Sequence, residues 1–127
     1  MPTFHRPSNF GPALPPLVAA YVEATNSGDL KRLLATFARD ALVNDQLRDY
    51  WGLAAIRKWA ERDVIGEQMR IQVTEVIEHY RNYIVTADID GMFDKRGLPD
   101  PMVHAFYFTP HRKRIAQLII LRNRRDI

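Results

Sequence analysis

The stretch from Arg39 to Trp59 reads RDALVNDQLRDYWGLAAIRKW and decides the fold. A helix is expected to end near Arg39, because Ala41-Leu42-Val43-Asn44 follows at once as a short strand. That strand delivers a carboxylate, Asp45, at its far end. A turn and Tyr50-Trp51-Gly52 then lead into another helix, expected over Ala54 to about Arg62, with Ile56, Trp59 and Ala60 on its apolar side. One acid therefore stands where a strand meets aromatic residues, an arrangement that makes or tunes a base.

Upstream, residues 1–16 are rich in Pro with Asn, Ser and Gly between them, and read as an arm without regular structure. Pro15-Pro16 open a helix, Pro being tolerated in a first turn. Leu17, Ala20, Tyr21 and Ala24 recur at helical spacing on one face. Asn26-Ser27-Gly28 ends that helix, and Asp29 is a natural N-cap for the next, expected over Leu30 to about Ala38 with Phe37 facing inward.

Downstream the chain reads as sheet. A long strand is expected from Met69 to Tyr80, with an irregularity near Glu75-Val76-Ile77. Arg81-Asn82 is a turn, and Tyr83 to Phe93 alternates cleanly. Strands over Met102–Thr109 and Arg114–Arg122 flank the turn Pro110-His111-Arg112-Lys113. In these last two strands both faces are apolar: His104, Phe106 and Phe108 against Val103, Ala105 and Tyr107, and Leu118 and Ile120 against Ile119 and Leu121. A sheet apolar on both faces must be covered twice. The helices cover one face, so a homodimer through the sheet is expected to cover the other.

The 127 residues suit one domain over 17–122, with a basic tail at 123–127. Without cysteine there is no disulfide framework, thiolate zinc site or thiol nucleophile. His5, His79, His104 and His111 lack metal-ligand spacing, and no phosphate loop or dinucleotide fingerprint occurs, so no metal and no cofactor is expected. No apolar run is long enough to cross a membrane and no secretory leader opens the chain, so a cytoplasmic location is the default. The net charge of +3 is not clustered with aromatic residues in the manner of nucleic-acid binders. A small apolar or aromatic ligand is the expected partner.

Helices first and a meandering sheet afterwards make an α+β domain, in which a curved sheet around helices leaves a pocket at its mouth. The series Ala20-Tyr21-Val22-Glu23, Asn26-Ser27-Gly28-Asp29-Leu30, Asp40-Ala41-Leu42-Val43-Asn44-Asp45, Tyr50-x-Gly52, Ala55-Ile56-x-x-Trp59 and Arg114-Ile115-Ala116-x-Leu118 resembles the nuclear-transport-factor-2-like superfamily. Within it the SnoaL-like polyketide cyclases and the ketosteroid isomerases look most similar. The resemblance implies a cone-shaped α+β barrel (also called cystatin-like). Three N-terminal helices would pack on a strongly curved, mostly antiparallel sheet. It also implies an isomerase, cyclase or dehydratase, although the superfamily includes ligand-binding and interaction modules.

Three positions carry over singly. Tyr21 stands where the isomerases keep the tyrosine that donates to the developing oxyanion, and Asp45 where they keep the aspartate that moves the proton. His104 stands where they keep a protonated aspartic acid, the second donor. A neutral imidazole can donate, accept, or act as a base near neutral pH. The residues support part of this independently. Val43 and Asp45 share a strand face, so Asp45 is expected to point inward, and burial among Trp51, Trp59 and Phe37 would raise its pKa toward general-base use. Phe37, Tyr50, Trp51 and Trp59, with Phe93, Phe106 and Leu118, are the expected ligand walls. Each residue also has a structural reading: Asp45 as a turn acceptor, Tyr21 and His104 as satisfied core residues, the aromatic residues as core. Arg122, in phase with Leu118 and Ile120, either reaches the cavity mouth or is solvated.

Overall fold

The computed structural model describes residues 12–122. The expected arm lies outside the described residues up to residue 11, as does the basic tail at 123–127. Residues 12–15 have no helix or strand.

Helix α1 (Pro16–Asn26) starts on its prolines as expected. Its C-terminus closes with the Ser27 amide donating to Glu23 O and the Gly28 amide to Thr25 O, Gly28 taking φ +69°. The Asp29 side chain accepts from the Arg32 amide at 3.1 Å and caps α2. Helix α2 (Leu30–Ala35) is shorter than expected. The Thr36 hydroxyl donates back to Leu33 O at 2.7 Å, and Thr36 O accepts the Ile115 amide at 2.7 Å. That distant sheet contact pulls the chain out of the helix, so Phe37 begins a strand rather than completing a turn of helix.

Strand β1 (Phe37–Asp45) therefore starts four residues before Ala41. The segment after the turn at Gln46-Leu47 is itself a strand, β2 (Arg48–Trp51), antiparallel to β1. Helix α3 (Gly52–Trp59) starts two residues before the expected Ala54 and continues as a wide π-helical turn, Ala60–Ile65, before Gly66. Strands β3 (Arg70–His79), β4 (Asn82–Asp90), β5 (Met102–His111) and β6 (Arg114–Arg122) complete the sheet. The expected irregularity in β3 is a register shift between Val73 and Glu75. Strand β4 stops at Asp90, which leaves Phe93 in the following loop rather than in the alternating strand.

The sheet runs β2-β1-β6-β5-β4-β3 and does not close. All pairings are antiparallel except β1 with β6. The inner face carries Val43, Leu118, Phe108 and Tyr83 in one cross-strand row and Asp45, Ile120, Phe106, Val85 and Val76 in the next. Helices α1 and α3 lie over this face, bringing Val18, Tyr21, Ile56 and Trp59 into one core with it. Trp51 does not join them. Its cross-strand partner is Leu42 and not Val43, so it points to the outer face, where it is 67% exposed. The assignment of Trp51 to the core and ligand wall is thereby overturned, because the hairpin register fixes its face.

Candidate functional site

Asp45 ends β1 on the inner face and is half-buried. Its Oδ2 accepts the Trp59 indole Nε1–H at 2.9 Å, and its Oδ1 accepts from the Gln46 side-chain amide at 3.3 Å. Gln46 is itself clamped to β6. Its backbone amide and its side-chain amide both donate to Ile120 O, at 2.9 and 3.2 Å, and its Oε1 accepts the Arg122 amide at 3.1 Å. The carboxylate is thus fixed from two sides, by α3 through Trp59 and by β6 through Gln46. Sequence reading missed Gln46. A polar residue directly after the acid was the available signal; in the fold it starts a two-residue turn at φ 53°.

Tyr21 is on the buried face of α1 and is 1% exposed. Its ring meets Phe37, Phe106 and Phe108 edge-on, with centroids 6.2, 6.2 and 5.3 Å away. Burial pushes the phenol pKa well above 10.0, and the Asp45 charge pushes it the same way. Tyr21 is therefore a protonated donor at every physiological pH.

His104 sits on β5 two residue pairs beyond the Asp45 row, opposite Ala87 and Arg122, and is 8% exposed. Burial lowers its pKa below 6.5; the Asp45 charge opposes this and the Arg122 charge adds to it. The imidazole is neutral at pH 7. Its Nδ1 is buried with no hydrogen-bond partner among the described residues, as is the Thr25 hydroxyl on α1. Native interiors rarely leave such groups unpaired. Aromatic rings connect the three: Phe106 lies 6.2 Å from the Tyr21 ring and 6.0 Å from the His104 ring, and Trp59, bonded to Asp45, meets Phe37, which meets Tyr21, although β6 lies between the strands that carry Asp45 and His104.

The expected walls divide. Phe37, Trp59, Phe106 and Leu118 are buried around the trio, with Phe37 and Trp59 edge-on at 6.5 Å. Tyr50 is half-buried, 6.2 Å from the Trp59 ring, and its hydroxyl accepts from Arg62 at 3.0 Å. Phe93 lines a separate hollow of about 840 Å³ at the ends of β3, β4 and β5, with Asn26, Ile71, Ile89 and Met102. Met102 is two residues from His104 along β5, so this hollow lies at the His104 end of that strand. A second hollow, of about 930 Å³, lies at the opposite end of the sheet. Neither is lined by Asp45, Tyr21 or His104. Among the described residues no group of three His, Cys, Asp or Glu could hold a metal ion, and no helix is long and apolar enough to cross a membrane.

The sequence pattern of the SnoaL-like domain matches residues 18–118. A solved structure of a candidate polyketide cyclase from Sinorhizobium meliloti is 30% identical, covers 85% of this chain and 95% of its own, and superposes with a TM-score of 0.73. A protein of ketosteroid isomerase-like fold from Catenulispora acidiphila, solved with trimethylamine, is 17% identical over 86% of each chain, with a TM-score of 0.71. The epoxide hydrolase/cyclase-like enzyme SalBIII, described with pyran ring formation in the polyether salinomycin, is 17% identical over 87% of this chain and 90% of its own, also at 0.71. No curated protein matches the chain.

Proposed function

We propose that this chain, which belongs to the SnoaL-like domain family, is a cofactor-independent enzyme that moves a proton on a small apolar or aromatic carbonyl compound. The observation that carries this reading is Asp45, held by Trp59 at 2.9 Å, with its charge acting on two uncharged donors, Tyr21 and His104. The Asp45 carboxylate takes a proton from the carbon next to the carbonyl, and the electron pair moves onto the carbonyl oxygen. The Tyr21 hydroxyl and a His104 N–H donate to that oxyanion, each such donor contributing about 3 kcal/mol to the transition state. Returning the proton to another carbon gives an isomer. Attack of the enolate carbon on a second carbonyl gives a ring, and the Asp45 proton then neutralises the new alkoxide. The family's cyclase relatives favour the second outcome.

In this reading the ligand enters from the mouth hollow past Phe93 and Met102, and Phe37, Tyr50, Trp59, Phe106 and Leu118 shape the inner end. The apolar outer face of the sheet pairs two copies into a homodimer.

One observation favours a non-catalytic ligand-binding or dimerisation module. Tyr21 and Leu118 are tightly packed, and the two hollows end short of Asp45. Solvent deuterium exchange next to the carbonyl of aryl ketones and β-diketones, followed by proton NMR, separates the readings. The wild type is expected to exchange at least one such compound, and Asp45→Asn to lose about a hundredfold or more. Equal exchange by both removes Asp45 from the mechanism. Ligand-induced shifts without exchange by either establish the binding module.

A further inference from the structure

The hollow at the opposite end of the sheet has a chemistry of its own. It lies between the start of α1, the end of α2 and the two hairpin turns β3–β4 and β5–β6. Its floor is apolar, with Leu17, Ala20, Tyr83 and Pro110. Its rim carries Arg32, Arg81, Arg112 and Lys113 against a single carboxylate, Glu78. The ion pairs among the described residues all lie elsewhere, and none involves these four cations. Cations gathered without carboxylate partners raise the local positive potential and favour an anion.

The turns hold three of those cations, Arg81, Arg112 and Lys113, in place. Both hairpins close with two residues in the left-handed region: Tyr80 at φ 50° and Arg81 at 67°, then Arg112 at 52° and Lys113 at 67°. Gly and Asn are the usual occupants of such turns. A side chain there costs about 1 kcal/mol or more. Three of the four positions nevertheless carry a cation. The turns are short, so the charged side chains start from fixed points on the rim.

We propose that this groove binds an amphiphilic organic anion. An aliphatic or aromatic body lies on Leu17, Ala20 and Tyr83, and a carboxylate or phosphate headgroup is held by Arg81, Arg112 and Lys113. The volume of about 930 Å³ is that of a small-molecule pocket. A compact ring of charge over an apolar floor fits an amphiphile better than an extended polyanion, which needs a track of charge. The site is separate from the Asp45 neighbourhood and does not depend on the reaction proposed there.

The test is titration of the full-length, isotope-labelled protein with decanoate below its micelle concentration, followed by amide NMR. Decyl phosphate is a second arm and decyltrimethylammonium a control. Saturable shifts are expected at Leu17, Ala20, Tyr83 and Lys113 with either anion, the tighter arm naming the headgroup. The double variant Arg112→Glu/Lys113→Glu, exposed and expected to fold, should weaken binding about tenfold or more, as the loss of charge-assisted bonds requires. Arg81→Gln should weaken it less, and Glu78→Gln should tighten it. Equal binding of the cationic control, an unchanged affinity in the charge-reversed protein, or shifts confined to Phe93 and Met102 would each overturn the proposal, as would no shift at millimolar decanoate.

Discussion

The two faces of the sheet carry similar sequence and meet different surroundings. Phe108 and Tyr107 are neighbours in β5, yet Phe108 is buried against Tyr21 while Tyr107 is 39% exposed. On the outer face Ile77, Ile84, Tyr107 and Ile119 form one continuous cross-strand row. Ile77 at its end is 46% exposed. Alternation assigns residues to a face but does not say what covers it. The helices cover one face and, within one chain, leave the other to solvent.

The largest expected effect breaks that comparison directly. Phe108→Ala should cost about 3–5 kcal/mol in urea unfolding, as for buried aromatic residues generally, at any protein concentration. In the homodimer proposed above Tyr107 packs on a second copy, so Tyr107→Ala should cost an amount that grows with protein concentration. In sedimentation, Tyr107→Glu should turn a dimer into a folded monomer with an unchanged circular dichroism spectrum. A wild type that sediments as a monomer at micromolar concentration removes the dimer.

How much of this was legible follows from whether the determining contact is local. Gly28 and Asp29 act within a few residues, and the turn and cap between α1 and α2 could be read directly. The clean alternation of β4 holds in the fold, with Val85, Ala87 and Ile89 all buried on one side. The end of α2 could not be read, because the hydrogen bond that draws Thr36 into the sheet comes from Ile115, far along the chain. Strand β2 is Arg48-Asp49-Tyr50-Trp51, too short and polar to announce itself, and it exists through its pairing with β1. That pairing also turned Trp51 outward. For the candidate site, the inward face of Asp45 followed from strand period, but its clamp by Trp59 and Gln46 needed the helix and β6 in place. The filled interior around Tyr21 depends on side-chain packing, which spacing does not encode.

The two tryptophans give a smaller contrast. Trp59 is 1% exposed and donates to Asp45. Trp59→Phe removes a hydrogen bond to a charged group and should cost about 2 kcal/mol, with a further loss of any Asp45-dependent exchange. Trp51→Phe on the open face should stay within about 0.5 kcal/mol for the monomer. Equal costs in urea unfolding would mean that the indole–carboxylate bond does not position Asp45.

The smallest effect concerns the charge state of His104. Burial holds its pKa below 6.5, with Arg122 adding to the effect and Asp45 opposing it. In the unfolded chain the imidazole takes up a proton as pH falls through 6.5, whereas in the folded chain it stays neutral to lower pH. The unfolded state then binds more protons, so acid favours unfolding. Stability contributed by the neutral imidazole is complete above 6.5 and is lost as pH drops toward the lowered folded value. The slope cannot exceed about 1.4 kcal/mol per pH unit for one proton. Carboxylates titrate in acid too, so the quantity to follow is the difference in unfolding free energy between wild type and His104→Gln. That difference should move against the wild type on going from pH 8 to pH 5. A flat difference would mean that His104 is as free to take a proton in the folded chain as in the unfolded one. Below about pH 6.5 an imidazolium would then face the oxyanion in place of the neutral donor that the proposed chemistry uses.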